Sequence, residues 1–177
     1  MNRSFPVALC LALAFVLEGC SHGIHSETGG WPPASSSSPA SISSSADVVK
    51  VRAADVSIPA GGNADATVTL SISPGFHINA NPATFSYLIP TAVNPGKTEG
   101  IIAGKPVYPA GQKKKFQFAE EPLAVYEGEV QITLPLRAGT NIARPGRLPI
   151  SVTVQACDHE KCYPPAPLDA TITVNVK

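Results

Sequence analysis

Two cysteines near the C-terminal end of the chain, Cys157 and Cys162, are the residues best suited to chemistry. Four polar residues, Asp-His-Glu-Lys, separate them, so a tight turn can bring the two thiols face to face. Such a pair can be a structural disulfide, a redox-active disulfide or part of a metal site. In an exported protein the compartment permits a disulfide.

The short loop between the cysteines favours thiol exchange over a structural role. Closing about six residues restricts the unfolded chain by only ~2 kcal/mol in the chain-entropy treatment. The polar turn is expected at the surface, where the thiol of a partner could reach it. His159 and Lys161 would favour a thiolate, whereas Asp158 and Glu160 would oppose it. We interpret the pair as redox-active, with a structural disulfide in a lipid-anchored binding or adhesive protein as the main alternative.

A copper or zinc site built from Cys157, His159 and Cys162 is a second alternative. The sequence offers no evident fourth ligand, and an oxidising compartment favours pairing of the thiols. We therefore predict no metal and no other cofactor. His77 follows a turn signal and is interpreted as structural rather than catalytic. The sequence contains no motif typical of hydrolases or phosphate binding.

Residues 1–20 are typical of a signal peptide. A single basic residue, Arg3, precedes an apolar run over 5–17 that is too short to span a membrane. The run ends Leu-Glu-Gly-Cys at Cys20 and resembles a bacterial lipobox, which predicts that Cys20 is diacylated and becomes the mature N-terminus. Glu18 departs from the usual lipobox pattern, so cleavage by the ordinary signal peptidase is the alternative.

Residues 21–46 are rich in Ser, Gly and Pro and contain almost no spaced apolar residues. They are predicted to form a disordered tether that holds the following domain on the order of 30 Å from the membrane surface. By resemblance to lipoprotein sorting patterns, Ser21 favours the outer membrane. The predicted location is the periplasmic side of the bacterial cell envelope, with membrane contact only through the lipid anchor.

The elements that position the cysteines are strands of one domain, residues 47–177. Apolar and polar residues alternate with a period of two over 67–73, 130–136 and 148–154. Turn signals rich in Pro, Gly and Asn separate these segments, and no convincing helical stripe is present. We predict an all-β fold, an immunoglobulin-like antiparallel β-sandwich.

The residues around the cysteine pair resemble those of the periplasmic N-terminal domain family of the thiol-disulfide reductase DsbD. The resemblance rests on Gln-Ala-Cys at 155–157 and on Cys-Tyr-Pro-Pro at 162–165. The segment 126–136 precedes them in the order that the family has. The resemblance covers most of residues 47–177 and is most specific in the Cys-Tyr-Pro-Pro sequence.

The resemblance implies that the two cysteines cycle between disulfide and dithiol while passing electrons to or from periplasmic thioredoxin-fold proteins. Cys162 would form the mixed disulfide with the partner, and Cys157 would resolve it. A cap loop over the pair would lie at about residues 120–126, with Leu123 in the shielding position. The remaining residues implied for the cap or the site are Glu120, Glu121, Tyr126 and Tyr163.

The domain is expected to act as an electron-shuttle oxidoreductase that depends on a partner. A hairpin provides no helix N-terminus to stabilise a thiolate, and only about 3% of an unperturbed thiol is ionised at pH 7. No transmembrane conduit follows the domain in this sequence, so a separate membrane reductase is the expected electron source. The equal numbers of basic and acidic side chains, 13 each, argue against a nucleic-acid partner.

Overall fold

The computed structural model describes residues 41–142 and 145–177. The predicted signal peptide, Cys20 and the predicted tether up to residue 40 lie outside the described residues. The described part is built from strands and one short 3-10 helix, and it includes no helix long and apolar enough to cross a membrane. The predicted all-β class is confirmed.

Twelve strands form three four-stranded sheets in the described part of the chain. In chain order they are β1 (Val49–Ala53), β2 (Val56–Ile58), β3 (Asn63–Ile72), β4 (His77–Asn79), β5 (Ala92–Pro95), β6 (Ile101–Ala103), β7 (Gln112–Lys114), β8 (Leu123–Tyr126), β9 (Glu129–Ala138), β10 (Gly146–Val154), β11 (Ala156–Cys157) and β12 (Ala166–Val176). The first sheet has the order β1-β3-β9-β6, the second β2-β12-β10-β5 and the third β11-β4-β8-β7.

The first two sheets pack face to face as the predicted immunoglobulin-like sandwich. Period-two alternation turns one face of each long strand inward: Val68 and Leu70 of β3, and Leu148 and Val152 of β10, are completely buried. These side chains belong to one continuous apolar core shared by both sheets. The strand pairs are antiparallel except for β2 and β12, which run parallel from the pair Val174 and Val56 onward.

The folded domain begins a few residues before the predicted boundary at residue 47. A 3-10 helix spans Ser45–Asp47 and is capped by the hydroxyl of Ser44. Ser45 is fully buried, and Ile42 packs against the main core. Serine-rich composition is typical of a tether, but the hydroxyl of Ser45 finds hydrogen-bond partners inside the fold and is therefore tolerated there.

The third sheet carries the cysteine region at one end of the sandwich. β11 follows β10 almost directly, because only Gln155 separates them, so the long strand delivers Cys157 to this sheet. β11 pairs with β4 on one side, and β4 pairs in turn with β8. The sheet thus places residues 77–79 directly beside the cysteine segment and residues 123–126 one strand further away.

Candidate functional site

Cys157 and Cys162 are joined in a disulfide across a tight turn. Their Cα atoms are 3.9 Å apart, and the two residues form an isolated antiparallel bridge. The amide of Asp158 donates a 2.9 Å hydrogen bond to the carbonyl oxygen of Lys161, which pairs the two ends of the four-residue turn between the cysteines. The sequence-based expectation that a turn brings the two cysteines together therefore agrees with the geometry.

The two sulfur-bearing residues differ in their access to solvent. Cys157 is 1% exposed, because it lies in β11 between the turn and β4. Cys162, at the end of the turn, is an exposed residue. Cys162 is therefore the more accessible residue of the pair.

Asp158 and Tyr163 lock the conformation of the turn. The carboxylate of Asp158 accepts hydrogen bonds from the amides of Glu160 and Lys161, both at 2.8 Å, and from the hydroxyl of Tyr163 at 2.7 Å. The Tyr163 hydrogen bond is the largest cause that lowers the pKa of Asp158 to about 2, and the same bond raises the pKa of Tyr163. Asp158 is therefore charged at neutral pH, which opposes a thiolate in this turn.

Ser45 ties the cysteine segment to the start of the domain. Its hydroxyl accepts a 2.8 Å hydrogen bond from the amide of Ala156 and donates one of 2.8 Å to the carbonyl oxygen of Pro164. The serine-rich composition of residues 21–46 predicted that Ser45 belongs to the tether. Ser45, which is fully buried, thus links the two segments that flank the turn, residues 155–157 and 162–165.

A row of side chains crosses the third sheet at the level of the disulfide. Cys162 pairs with Cys157, and Cys157 pairs with His77 of β4. Residues directly opposite each other in antiparallel strands project to the same face, with Cβ atoms about 4.5–5.5 Å apart. His77 is therefore the side chain next to Cys157 on its inner side.

Phe116 covers His77. The two rings stack with their centroids 4.1 Å apart and their planes 21° apart. The ring of Phe116 also lies 6.3 Å from the ring of His159 in the cysteine turn and 5.3 Å from that of Phe118. The loop between β7 and β8, residues 115–122, thus reaches the cysteine turn through Phe116, a residue that sequence analysis did not select.

The predicted cap residues occupy different places in this region. Leu123 begins β8 and is buried beneath the loop, in a small apolar cluster with Phe116. Glu120 and Glu121 are exposed in the loop, and Lys115 donates hydrogen bonds to the carbonyl oxygens of Ala119 and Glu120. Leu123 supports the loop from below, whereas Phe116 supplies the aromatic surface beside the turn.

Tyr126, the last of the predicted site residues, lies one strand further from the cysteines. It is buried in the main core and pairs with Ile78, which pairs in turn with Ala156. Its hydroxyl donates a 2.8 Å hydrogen bond to the carbonyl oxygen of Pro109. Desolvation raises the pKa of Tyr126. Tyr126 therefore positions the third sheet on the sandwich and does not line the disulfide directly.

His77 is the buried ionisable side chain of the site. It is 2% exposed, and its Nε2 atom has no hydrogen-bond partner among the residues that the structure describes. Desolvation by burial is the largest cause that lowers the pKa of His77 to about 4. The ring is therefore neutral at pH 7, which agrees with its stacking against the face of Phe116.

The copper or zinc alternative would use Cys157 and Cys162, which are joined to each other in this structure. The two sulfur atoms are bonded to each other, so in this form neither is a thiolate ligand. Across residues 41–142 and 145–177, no group of three or more His, Cys, Asp or Glu side chains is arranged to hold a metal ion.

The family model for the N-terminal domain of the thiol:disulfide interchange protein DsbD matches residues 45–173. The chain belongs to the DsbD N-terminal family. The match begins at Ser45, where the folded domain begins, and includes the whole disulfide turn. Membership, together with the Cys157–Cys162 disulfide, supports thiol-disulfide exchange as the class of activity. No curated protein matches the chain significantly.

Solved structures from the DsbD N-terminal family and its relatives are similar to this chain. The N-terminal domain of DsbD from Neisseria meningitidis, in the reduced form, is 22% identical; the match covers 66% of this chain and 82% of that chain, with a TM-score of 0.43. The N-terminal periplasmic domain of ScsB from Proteus mirabilis is 16% identical, with coverages of 73% and 47% and a TM-score of 0.47. A complex of the DsbD and PilB N-terminal domains from Neisseria meningitidis is matched at 21% identity, with coverages of 62% and 73% and a TM-score of 0.40.

Phe116→Ala is expected to expose Cys157 to small reagents. Truncating a buried Phe removes about 3–5 kcal/mol of packing free energy. If only ~1.4 kcal/mol of this loss destabilises the closed conformation of the 115–122 loop relative to an open one, the open population rises about tenfold. The rate of alkylation of Cys157 in the Cys162→Ser protein measures this opening. Phe118→Ala, which removes an exposed ring from the same loop, is the matched control and should change the rate little.

Leu123→Ala distinguishes the structural assignment of the cap from the sequence-based one. If Leu123→Ala accelerates alkylation of Cys157 while Phe116→Ala does not, the shielding residue is Leu123, as the sequence resemblance implied. Faster alkylation in Phe116→Ala than in Leu123→Ala, compared under conditions in which the two variants are equally stable, places the shield in the 115–122 loop.

Proposed function

We propose that this protein exchanges electrons through the Cys157–Cys162 pair, to or from thioredoxin-fold partners on the periplasmic side of the cell envelope. The observation that carries the proposal is the unequal exposure of the two cysteines in one disulfide. Cys162 is open to a partner, and Cys157 is buried beside it. The membership of the DsbD N-terminal family supports the same activity.

The exchange takes two steps when the domain is being reduced. A thiolate of the partner attacks Sγ of Cys162, the disulfide bond breaks, and its electron pair passes to Sγ of Cys157. A second thiolate of the partner then attacks the partner sulfur that is bonded to Cys162 and releases Cys162 as a thiolate. The domain is left as a dithiol and the partner as a disulfide. The same steps in reverse transfer two electrons from the domain to a partner, with a membrane reductase as the expected electron source.

The local electrostatics make the partner the better source of the attacking thiolate. Asp158 is ionised in the cysteine turn, and no helix N-terminus faces Cys162 within the described residues. Both features disfavour an unusually acidic thiol in this domain. Thioredoxin-like sites, in contrast, have a thiol with a lowered pKa, so a partner of that class complements this turn.

The protein is expected to cycle between disulfide and dithiol without unfolding. The disulfide closes only a short turn at one end of the sandwich, and neither cysteine belongs to the main apolar core. Equilibration with a glutathione buffer, followed by alkylation and mass spectrometry, should count two new thiols on Cys157 and Cys162 while circular dichroism stays unchanged. A disulfide that resists reduction until the sandwich denatures would establish the structural alternative instead.

We propose further that Cys20 carries a lipid anchor and that the serine-rich segment after it is the tether of the domain. The support is the Leu-Glu-Gly-Cys sequence at 17–20 and the composition of residues 21–40. Cys20→Ser should release the protein from isolated membranes, and the mature N-terminus should be a diacylated Cys20. An N-terminus at another residue would refute the anchor and leave the redox activity untouched.

A further inference from the structure

His77 has the position of a proton acceptor for Cys157. The two residues are opposite each other in the β4–β11 pair, which places both side chains on one face of the third sheet. Cys162 continues the same row on the outer side of Cys157. Cys157 therefore lies between the sulfur it must attack and an imidazole ring.

The ring of His77 is held in place and is incompletely bonded. Phe116 stacks on it at 4.1 Å, and the side chain is almost fully buried. Its Nε2 atom is buried without a hydrogen-bond partner in the described part of the protein. Buried polar atoms are rarely left unpaired, and such an atom in a native fold calls for a functional or structural reason.

Reduction of the disulfide creates a new hydrogen-bond donor on the residue that is opposite His77 in the β4–β11 pair. In the disulfide form Cys157 carries no hydrogen, whereas in the dithiol form its S–H group is a donor beside the imidazole. We propose that Nε2 of His77 accepts the proton of the Cys157 thiol and thereby acts as the general base for the step in which Cys157 displaces a partner from Cys162. This inference rests on the thiol-disulfide exchange proposed above and deepens it.

The proposed step conserves atoms and electrons. In the mixed disulfide, the proton of Cys157 moves to Nε2, and the resulting thiolate attacks Sγ of Cys162. The bond between Cys162 and the partner's sulfur breaks, and its electron pair leaves with the partner as a thiolate. The domain is oxidised to the disulfide, the partner sulfur is reduced, and the imidazolium returns its proton to the departing thiolate or to water.

The charged groups around His77 allow the proton to be taken and then released. Glu127 of the segment after β8 favours the imidazolium, as does Asp158 in the turn, whereas Lys114 of β7 and His159 oppose it. Burial keeps the ring unprotonated at neutral pH, and it also makes the imidazolium costly unless a negative charge forms beside it. A thiolate formed beside the ring favours the imidazolium further, because opposite charges at short range stabilise each other.

The ring-closing step can be observed directly with Ellman's reagent. Reduced protein first forms a mixed disulfide at Cys162, and Cys157 then displaces the second chromophore in a unimolecular phase. We expect His77→Gln to slow this second phase by about tenfold or more at pH 7, within the range of general-base effects. The difference should vanish near pH 10, where Cys157 ionises without a base; a purely structural role of His77 would not give this pH dependence.

Nuclear magnetic resonance of the wild-type protein tests the contact without a variant that could misfold. The 15N shift of His77 Nε2 should change on reduction, because the nitrogen gains the Cys157 thiol as a partner. Identical Nε2 shifts in the oxidised and reduced protein, or equal second-phase rates in wild type and His77→Gln at pH 7, would overturn the role of His77 and leave the exchange intact. A wild-type protein without any second phase would instead refute the exchange itself.

Discussion

Cys157→Ser is expected to leave the protein covalently trapped on its partner. The exposed Cys162 can still form the mixed disulfide, and no neighbouring thiol remains to displace the partner. Cys162→Ser should trap the partner at least about tenfold less, because the remaining cysteine, Cys157, is only 1% exposed. Non-reducing electrophoresis measures the two amounts after each variant is mixed with a thioredoxin-fold domain that lacks its own resolving cysteine and whose remaining cysteine is activated as a mixed disulfide with thionitrobenzoate, the leaving group of the exchange.

Two controls separate this result from general reactivity. The Cys157→Ser, Cys162→Ser double variant should form no adduct, and mass spectrometry should place the intermolecular bond on Cys162. Equal trapping by the two single variants would contradict the assignment of unequal roles. It would also show that the fold opens enough during the encounter to expose β11.

The stability of the oxidised protein is expected to fall steeply between pH 7 and pH 4. The pKa of His77 is lowered to about 4 in the folded protein, below its ordinary value near 6.5. Between these two values the unfolded chain binds the additional proton, so stability is complete above about pH 6.5 and is lost as the pH falls. The loss amounts to about 3 kcal/mol by pH 4, since one pKa unit corresponds to about 1.4 kcal/mol.

Denaturant titrations at several pH values, on wild type and His77→Phe, measure this effect. The phenyl ring retains the stack on Phe116 and cannot titrate, so the variant should lose about 3 kcal/mol less between pH 7 and pH 4. The lowered pKa of Asp158 acts in a lower window, below about pH 4, and does not confuse the comparison. Parallel curves for wild type and His77→Phe would contradict this expectation, because they would show that the pKa of His77 is the same in the folded and the unfolded protein.

The sandwich itself was predictable because its signal is local. Alternation of apolar and polar residues over 67–73 and 148–154 identifies the buried face of each strand, whichever strands become its neighbours. The parallel pairing of β2 with β12 was not predictable from the same pattern. Apolar and polar residues alternate with nearly the same period in parallel and antiparallel strands, so the pattern does not give strand direction. In addition, β2 has only three residues, Val56–Ile58.

The boundary of the domain shows where composition alone misleads. Ser45 stands in a serine-rich stretch, and low hydrophobicity is ordinarily a sign of disorder. Its burial depends on two particular partners, the amide of Ala156 and the carbonyl of Pro164, more than a hundred residues away in the chain. A single buried polar residue that is well bonded leaves no trace in the average composition of its segment.

The sequence by itself determined the chemistry that this protein has available: two cysteines around a polar four-residue turn, within a family motif and a strand-rich domain. Tertiary structure alone decided how the two thiols differ, because exposure depends on the neighbours of each residue in space. The same is true of His77 and Phe116, which lie about eighty and forty residues before Cys157. The β4–β11 register places His77 beside Cys157, and the fold of the 115–122 loop places Phe116 on His77. Neither position could be predicted, because periodicity shows which face of a strand is buried but not which strand it pairs with.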